Sequence, residues 1–89
     1  MTDLRIAIED ANKFIKEDSI PEEAFEIVVE MAFNLGLPRL LTFVNFRKSL
    51  QDQNFTKASE DMKDSKWYRQ VKTRGVNLVE RMRGINGNT

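Results

Sequence analysis

Between Ala24 and Leu35 the chain carries three polar residues, Glu26, Glu30 and Asn34, each four positions after the last. Positions four apart share one face of an α-helix. The stretch therefore predicts a helix with one narrow wet stripe and Ala24, Phe25, Ile27, Val28, Val29, Met31, Ala32, Phe33 and Leu35 buried around the remainder. A helix apolar on nearly all sides belongs in the middle of a bundle. At about 1.5–3 kcal/mol per large side chain fully removed from water, it is expected to be the largest single contribution to the core. Gly36 follows as the expected stop, leaving Asn34 as a polar group at the end of the stripe.

The flanking segments read as helices too. Leu4, Ala7, Ile8, Ala11, Phe14 and Ile15 fall at spacings of three and four, which predicts a first helix over 3–16 with Thr2 or Asp3 as its cap. Residues 16–21 form a turn. Ser19 followed by Glu22 fits a capping box for the second helix, with Pro21 in its first turn, where a missing N–H costs nothing. Beyond Gly36, Pro38 can start a short helix, and Val44, Phe43, Phe46 and Leu50 give an amphipathic one ending near Gln51. Asn54 or Thr56 caps a helix burying Phe55, Ala58 and Met62; Asp64 or Ser65 caps a turn or two at KWYRQ. A last helix over 72–83 places Val76, Val79 and Met82 on one face with Leu78 flanking, and 84–89 is a frayed tail. No strand alternation or repeat interrupts this pattern. The expected fold is all-α: one domain over 1–89, a compact bundle of two longer and about four short helices around a central buried helix.

Composition removes several functions. With no cysteine and no histidine, disulfides, thiolate metal sites, zinc sites and a histidine base are excluded, and nothing resembles a calcium loop; no metal or cofactor is expected. No apolar run approaches the roughly 20 residues that cross a bilayer, and no signal-peptide pattern opens the chain, so no membrane partner is expected. Fourteen basic and fourteen acidic residues cancel, but unevenly: residues 1–56 hold six basic against ten acidic, residues 57–89 eight against four. A basic C-terminal third could face an anionic polymer, nucleic acid or cell-wall glycan, although a solvated charged surface is the commoner meaning of such asymmetry. A helix-turn-helix over 56–83 is disfavoured, because the last helix aims few donors at base edges; no nucleic-acid partner is expected.

Two constellations could carry chemistry. In the run SKWYRQ (65–70), Trp67 and Tyr68 lie about 100° apart on a helix. Trp67 is read first as a core residue whose indole N–H finds an acceptor, and second as part of a sugar- or base-binding rim beside Lys66 and Arg69. The two readings are compatible if Trp67 is half buried and fixes Asn34. Glu9 and Asp18 are a candidate acid pair for glycoside hydrolysis, but nothing near either would desolvate it enough to make it a proton donor, and the pair is read as coincidence.

MAFNLG (31–36), then Phe43, Arg47 and Leu50, then KASEDMKDSKWYRQ (57–70) and Arg74 before a short amphipathic helix together resemble the C-terminal lobe of T-even-phage-type lysozymes, the muramidases of glycoside hydrolase family 24. The likeness covers about residues 4–84, and LRIAIEDA (4–11) resembles the end of that family's interlobe helix. It implies a substrate-binding wall in which the amide of Asn34 meets the indole of Trp67, with Phe33 beside them and Lys66 and Arg74 at basic positions near the substrate. The family reads T-P-N-R-A where this chain has Val71-Lys72-Thr73-Arg74-Gly75, so the loop there is expected to differ. The family's catalytic glutamate lies in an N-terminal lobe that these residues do not match, and no catalytic residue is expected here. The implied activity is therefore weak binding of a peptidoglycan glycan strand, inactive alone, with an N-terminal lysozyme lobe in trans as a further partner. The implied origin is a phage or prophage gene expressed in the bacterial cytoplasm. The competing expectation is a structural or interaction module derived from such a lobe, with an exposed apolar patch on its first helix.

Overall fold

A computed structural model of the chain describes residues 4–85, and they are all-helical. Helix α1 spans Leu4–Phe14 and buries Ala7, Ala11 and Phe14. Its expected cap lies outside the described residues. The chain leaves α1 through a 3-10 turn at Glu17–Ser19, tied down where Asn12 Oδ1 accepts the Glu17 N–H at 3.2 Å and Ser19 Oγ donates to the Lys16 carbonyl at 2.7 Å. The expected capping box does not form because the helix starts two residues later than a Ser19 cap requires: α2 (Glu22–Leu35) has Pro21 at its N-cap and no side-chain cap. Glu22 and Glu23 in the first turn still favour the start electrostatically.

Helix α2 buries Ala24, Phe25, Ile27, Val28, Met31 and Ala32 as the spacing predicts. Three of the residues expected to be buried are less enclosed: Val29 and Leu35 are half-buried and Phe33 is 42% exposed. Helix α3 (Leu37–Leu40) follows immediately after Gly36. Gly36 makes that reversal with φ of 80°, a left-handed value costly for any residue with a Cβ, while its N–H closes α2 on the Ala32 carbonyl at 2.8 Å. Pro38 sits in the first turn of α3, as expected.

Helix α4 (Val44–Gln51) buries Phe46, Ser49 and Leu50 but leaves Val44 67% exposed. The Phe46 ring stacks on Phe14 at 6.0 Å and meets Phe43 edge-on at 6.2 Å, joining α4 to α1 and to its own N-terminus. Asn54 caps α5 (Phe55–Lys63) by accepting the Lys57 N–H at 3.1 Å. Ser65 caps α6 (Lys66–Val71) by accepting the Tyr68 N–H at 3.2 Å. Both caps follow the sequence reading.

The final helix departs from it. Helix α7 runs Thr73–Ile85 and buries Gly75, Leu78, Val79 and Met82, leaving Val76 39% exposed. At 13 residues it nearly equals the 14 of α2, so the bundle has three longer helices rather than two, and Gly84 and Ile85 are helical rather than frayed. The rest of the expected tail lies outside the described residues. The buried face is shifted because α5 packs along α7 more extensively than any other pair of helices meets, with α1 on α2 next. The centre of the bundle is thus shared by α2 and the α5–α7 pair.

A close approach fixes α6 on α7. A Cβ at Gly75 would lie 2.8 Å from Val71 Cγ2, 3.1 Å from Tyr68 Cδ1 and 3.3 Å from the Tyr68 carbonyl oxygen. Only a residue without a side chain lets the two helices meet so tightly. The link between them is the single residue Lys72, at φ of 51°.

Candidate functional site

The α3–α4 corner and the α5–α6 corner leave a groove of about 480 Å³ between them, within the size range of small-ligand sites. One wall comes from Leu35, Arg39, Thr42, Phe43, Val44, Asn45 and Phe46; the other from Asp61, Asp64, Ser65, Lys66, Trp67 and Gln70. Each wall is built locally. The edge-to-face pair Phe43–Phe46 and the side of Leu35 supply apolar surface. The Ser65 cap starts α6 so that Lys66 and Trp67 fall in its first turn, with Gln70 one turn later.

Trp67 is the telling residue. It is 97% buried, as a core residue should be, yet its indole N–H is enclosed with no hydrogen-bond partner among the described residues. An enclosed, unpaired donor costs about 1–3 kcal/mol, and such groups in folded proteins call for an explanation. Two polar side chains of the groove bond elsewhere. Ser65 Oγ accepts from Tyr68 and donates to the Met62 carbonyl at 2.6 Å. Asp61 accepts from the buried Ser49 hydroxyl at 2.8 Å and faces Lys57 at 3.7 Å, tying α4 to α5.

The anticipated pairing of Asn34 with Trp67 does not occur. The Asn34 amide N–H donates to the Glu30 carbonyl of its own helix at 2.9 Å, and its oxygen accepts from Arg74 at 3.5 Å. A side chain this short reaches the carbonyl one turn back more easily than a neighbouring helix. The five residues singled out from the sequence consequently divide. Lys66 and Trp67 line the groove; Asn34 and Arg74 meet each other on the α2–α7 seam; Phe33 is exposed on α2 and does not line the groove.

That seam contains a feature the sequence reading missed. Arg81 reaches Glu23 at 3.3 Å, Glu26 at 3.4 Å and Glu30 at 3.3 Å, so the wet stripe of α2 is edged by α7. The signal was present: Arg74 and Arg81 lie seven apart, two turns on one face, opposite a run of glutamates at helical spacing. Arg39, Asn45, Asp61 and Asp64 were missed as groove residues with no comparable signal, because two corners distant in sequence bring them together.

Glu9 and Asp18 are exposed, on α1 and on the 3-10 turn. Among the described residues no group of three or more acidic side chains is placed to hold a metal ion, and no helix is long and apolar enough to cross a membrane. Set against protein-family models, curated proteins and solved structures, the chain matches none of them.

Proposed function

We propose that these residues form a lysozyme-like lobe that binds the glycan strand of peptidoglycan weakly and does not hydrolyse it on its own. The observation that carries this reading is a ligand-sized groove whose lining includes Trp67 and Phe43. The aromatic and amide surface of Phe43, Asn45 and Gln70 suits a polar ring with apolar faces. The resemblance of residues 4–84 to the helical lobe of family 24 muramidases points the same way. Hydrolysis of a glycosidic bond needs a proton donor and a second carboxylate across the scissile bond. Of the two groove acids, Asp61 is held by Ser49 and Lys57, which leaves no free pair.

The test is an NMR titration with muropeptide oligomers up to millimolar concentration, equivalent to about −4 kcal/mol of binding. The Trp67 indole and the amides of Lys66 and Gln70 should shift, with smaller effects at Phe33, Asn34 and Arg74. No shift at that concentration removes the reading. Clearing of a peptidoglycan suspension should be absent for the chain alone; lysis would overturn the assignment of catalysis to a separate lobe.

One observation favours a second reading, a self-associating structural module. Leu4 and Ile8, one turn apart on one face of α1, are 58% and 39% exposed, apolar surface a second copy of the chain could cover. Sedimentation as a monomer at high concentration counts against it.

A further inference from the structure

Two unfavourable features fall on the same short helix. Lys72, which ends α6, stands at φ of 51° and ψ of −113°. That is not the left-handed helical well, where ψ is about 30 to 60°. It is the first central position of a type II′ turn, a place for glycine. A lysine held there is strained, and such strain persists only where the surroundings impose it. At the other end of the helix, the Trp67 N–H is enclosed with no partner among the described residues. One cost is of backbone and the other of desolvation, and both are relieved when α6 leaves its seat.

We propose that α6 is a movable wall of the groove: it opens as a unit, from the Ser65 cap to Lys72, while the rest of the bundle stays folded. At six residues it is less than two turns long and has little helical stability of its own. What seats it is the buried Trp67 ring and the close contact of Tyr68 and Val71 with Gly75. The helices it packs on, α7 and then α5, make the most extensive contact in the bundle with each other, and do not need α6 between them. Opening gives the Trp67 N–H to water and lets Lys72 return to ordinary dihedral angles. It also carries Lys66, Trp67 and Gln70 away from the wall formed by Arg39 and Phe43, which widens the groove. Elements that move in binding proteins are drawn from the least stable parts of the fold. The proposal does not depend on what the groove binds.

Hydrogen exchange of the intact chain, followed by NMR and corrected for intrinsic rates, tests it. Trp67 is the only tryptophan, so its indole signal is unambiguous. That N–H and the amides of Gln70, Val71 and Lys72 should exchange together, at least about tenfold faster than the amides of α2. Their rates should depend little on dilute urea, because opening one short helix exposes little surface. Lys72→Gly should slow this exchange about fivefold: glycine takes the observed dihedral angles without strain, and its extra freedom in the open state offsets only part of that gain. Exchange of the indole and the α6 amides at the rate and urea dependence of α2 overturns the proposal. So does fast exchange of the α6 amides with a slow indole, which is fraying of a helix end. A Lys72→Gly variant that exchanges as fast as the parent, or faster, removes the strain and overturns it too. None of these outcomes involves a ligand, so the muropeptide titration is decided separately.

Discussion

Replacing Gly75 by alanine sets two opposing effects against each other, and the structure decides the sign. Alanine is better than glycine by about 0.8–1 kcal/mol in a helix interior, and less at Gly75, the third residue of α7. Against that gain stands the 2.8 Å approach of the new Cβ to Val71 Cγ2, with Tyr68 Cδ1 at 3.1 Å and the Tyr68 carbonyl oxygen at 3.3 Å. A valine methyl is not the end of a flexible chain, and a helix carbonyl moves only with its helix. Inserting a methyl into such a contact costs about 1–3 kcal/mol. The net expectation for Gly75→Ala is a loss of about 1 kcal/mol, which lowers Tm by about 4–8 °C for a domain of this size. Gly84 in the same helix is the control, because a Cβ there meets nothing within 4 Å. Gly84→Ala should stabilise by a few tenths of a kcal/mol, its gain reduced by its place in the last turn. Urea denaturation followed by helical circular dichroism measures both. Val71 and Tyr68 belong to the helix that carries Trp67, so Gly75→Ala should also shift the indole N–H resonance while Gly84→Ala leaves it in place. If Gly75→Ala is as stable as the parent, or the two variants change in the same direction, the tight α6–α7 contact is wrong, and with it the placement of the Trp67 wall.

Other substitutions probe other parts of the fold. Arg81→Gln should cost about 1 kcal/mol at low salt, given three exposed ion pairs of a few tenths each, and less in molar salt, where the screening length falls to about 3 Å; a salt-independent loss would mean that Arg81 acts through packing. Phe46→Ala should cost about 3–5 kcal/mol, since its ring is enclosed between Phe14 and Phe43, whereas Val44→Ala, two residues away and 67% exposed, should stay within about 0.5 kcal/mol. Asn54→Ala removes the acceptor for the Lys57 N–H and should cost about 1 kcal/mol; a neutral result in thermal unfolding would show that water replaces this cap.

The helical class, the buried core of α2 and the stop at Gly36 are legible in the sequence, and so are the two later caps to within a pair of candidates each, of which the structure selects Asn54 and Ser65. Each is a local matter: spacing of apolar residues, backbone freedom of one glycine, or a side chain reaching an N–H three residues on. Where a local choice had two outcomes, the neighbours decided it. Ser19 could cap α2 or lie outside it, and it lies in the 3-10 turn, two residues ahead of the Pro21 cap position. Val76 could face inward or outward, and the contact of α5 with α7 turns Leu78 and Gly75 inward instead. Periodicity marks which residues share a face, not which neighbour that face meets.

The candidate site was legible only in part. Lys66 and Trp67 stood out because an adjacent pair of aromatics among basic residues is unusual in itself. Arg39, Asn45, Asp61 and Asp64 are ordinary surface residues in the sequence and become groove residues only when the α3–α4 corner is set against the α5–α6 corner. The reach of Asn34 was likewise undetermined: its amide could bond to a neighbouring indole or to its own helix, and it bonds to Glu30 and Arg74. By itself the sequence determined that this chain forms helices and marked most of the residues that leave water, though Phe33 and Val76 stay exposed against the pattern. Tertiary packing decided which polar groups find partners, and left the Trp67 N–H without one, because hydrogen bonding depends on separations of a few tenths of an ångström that no spacing rule specifies.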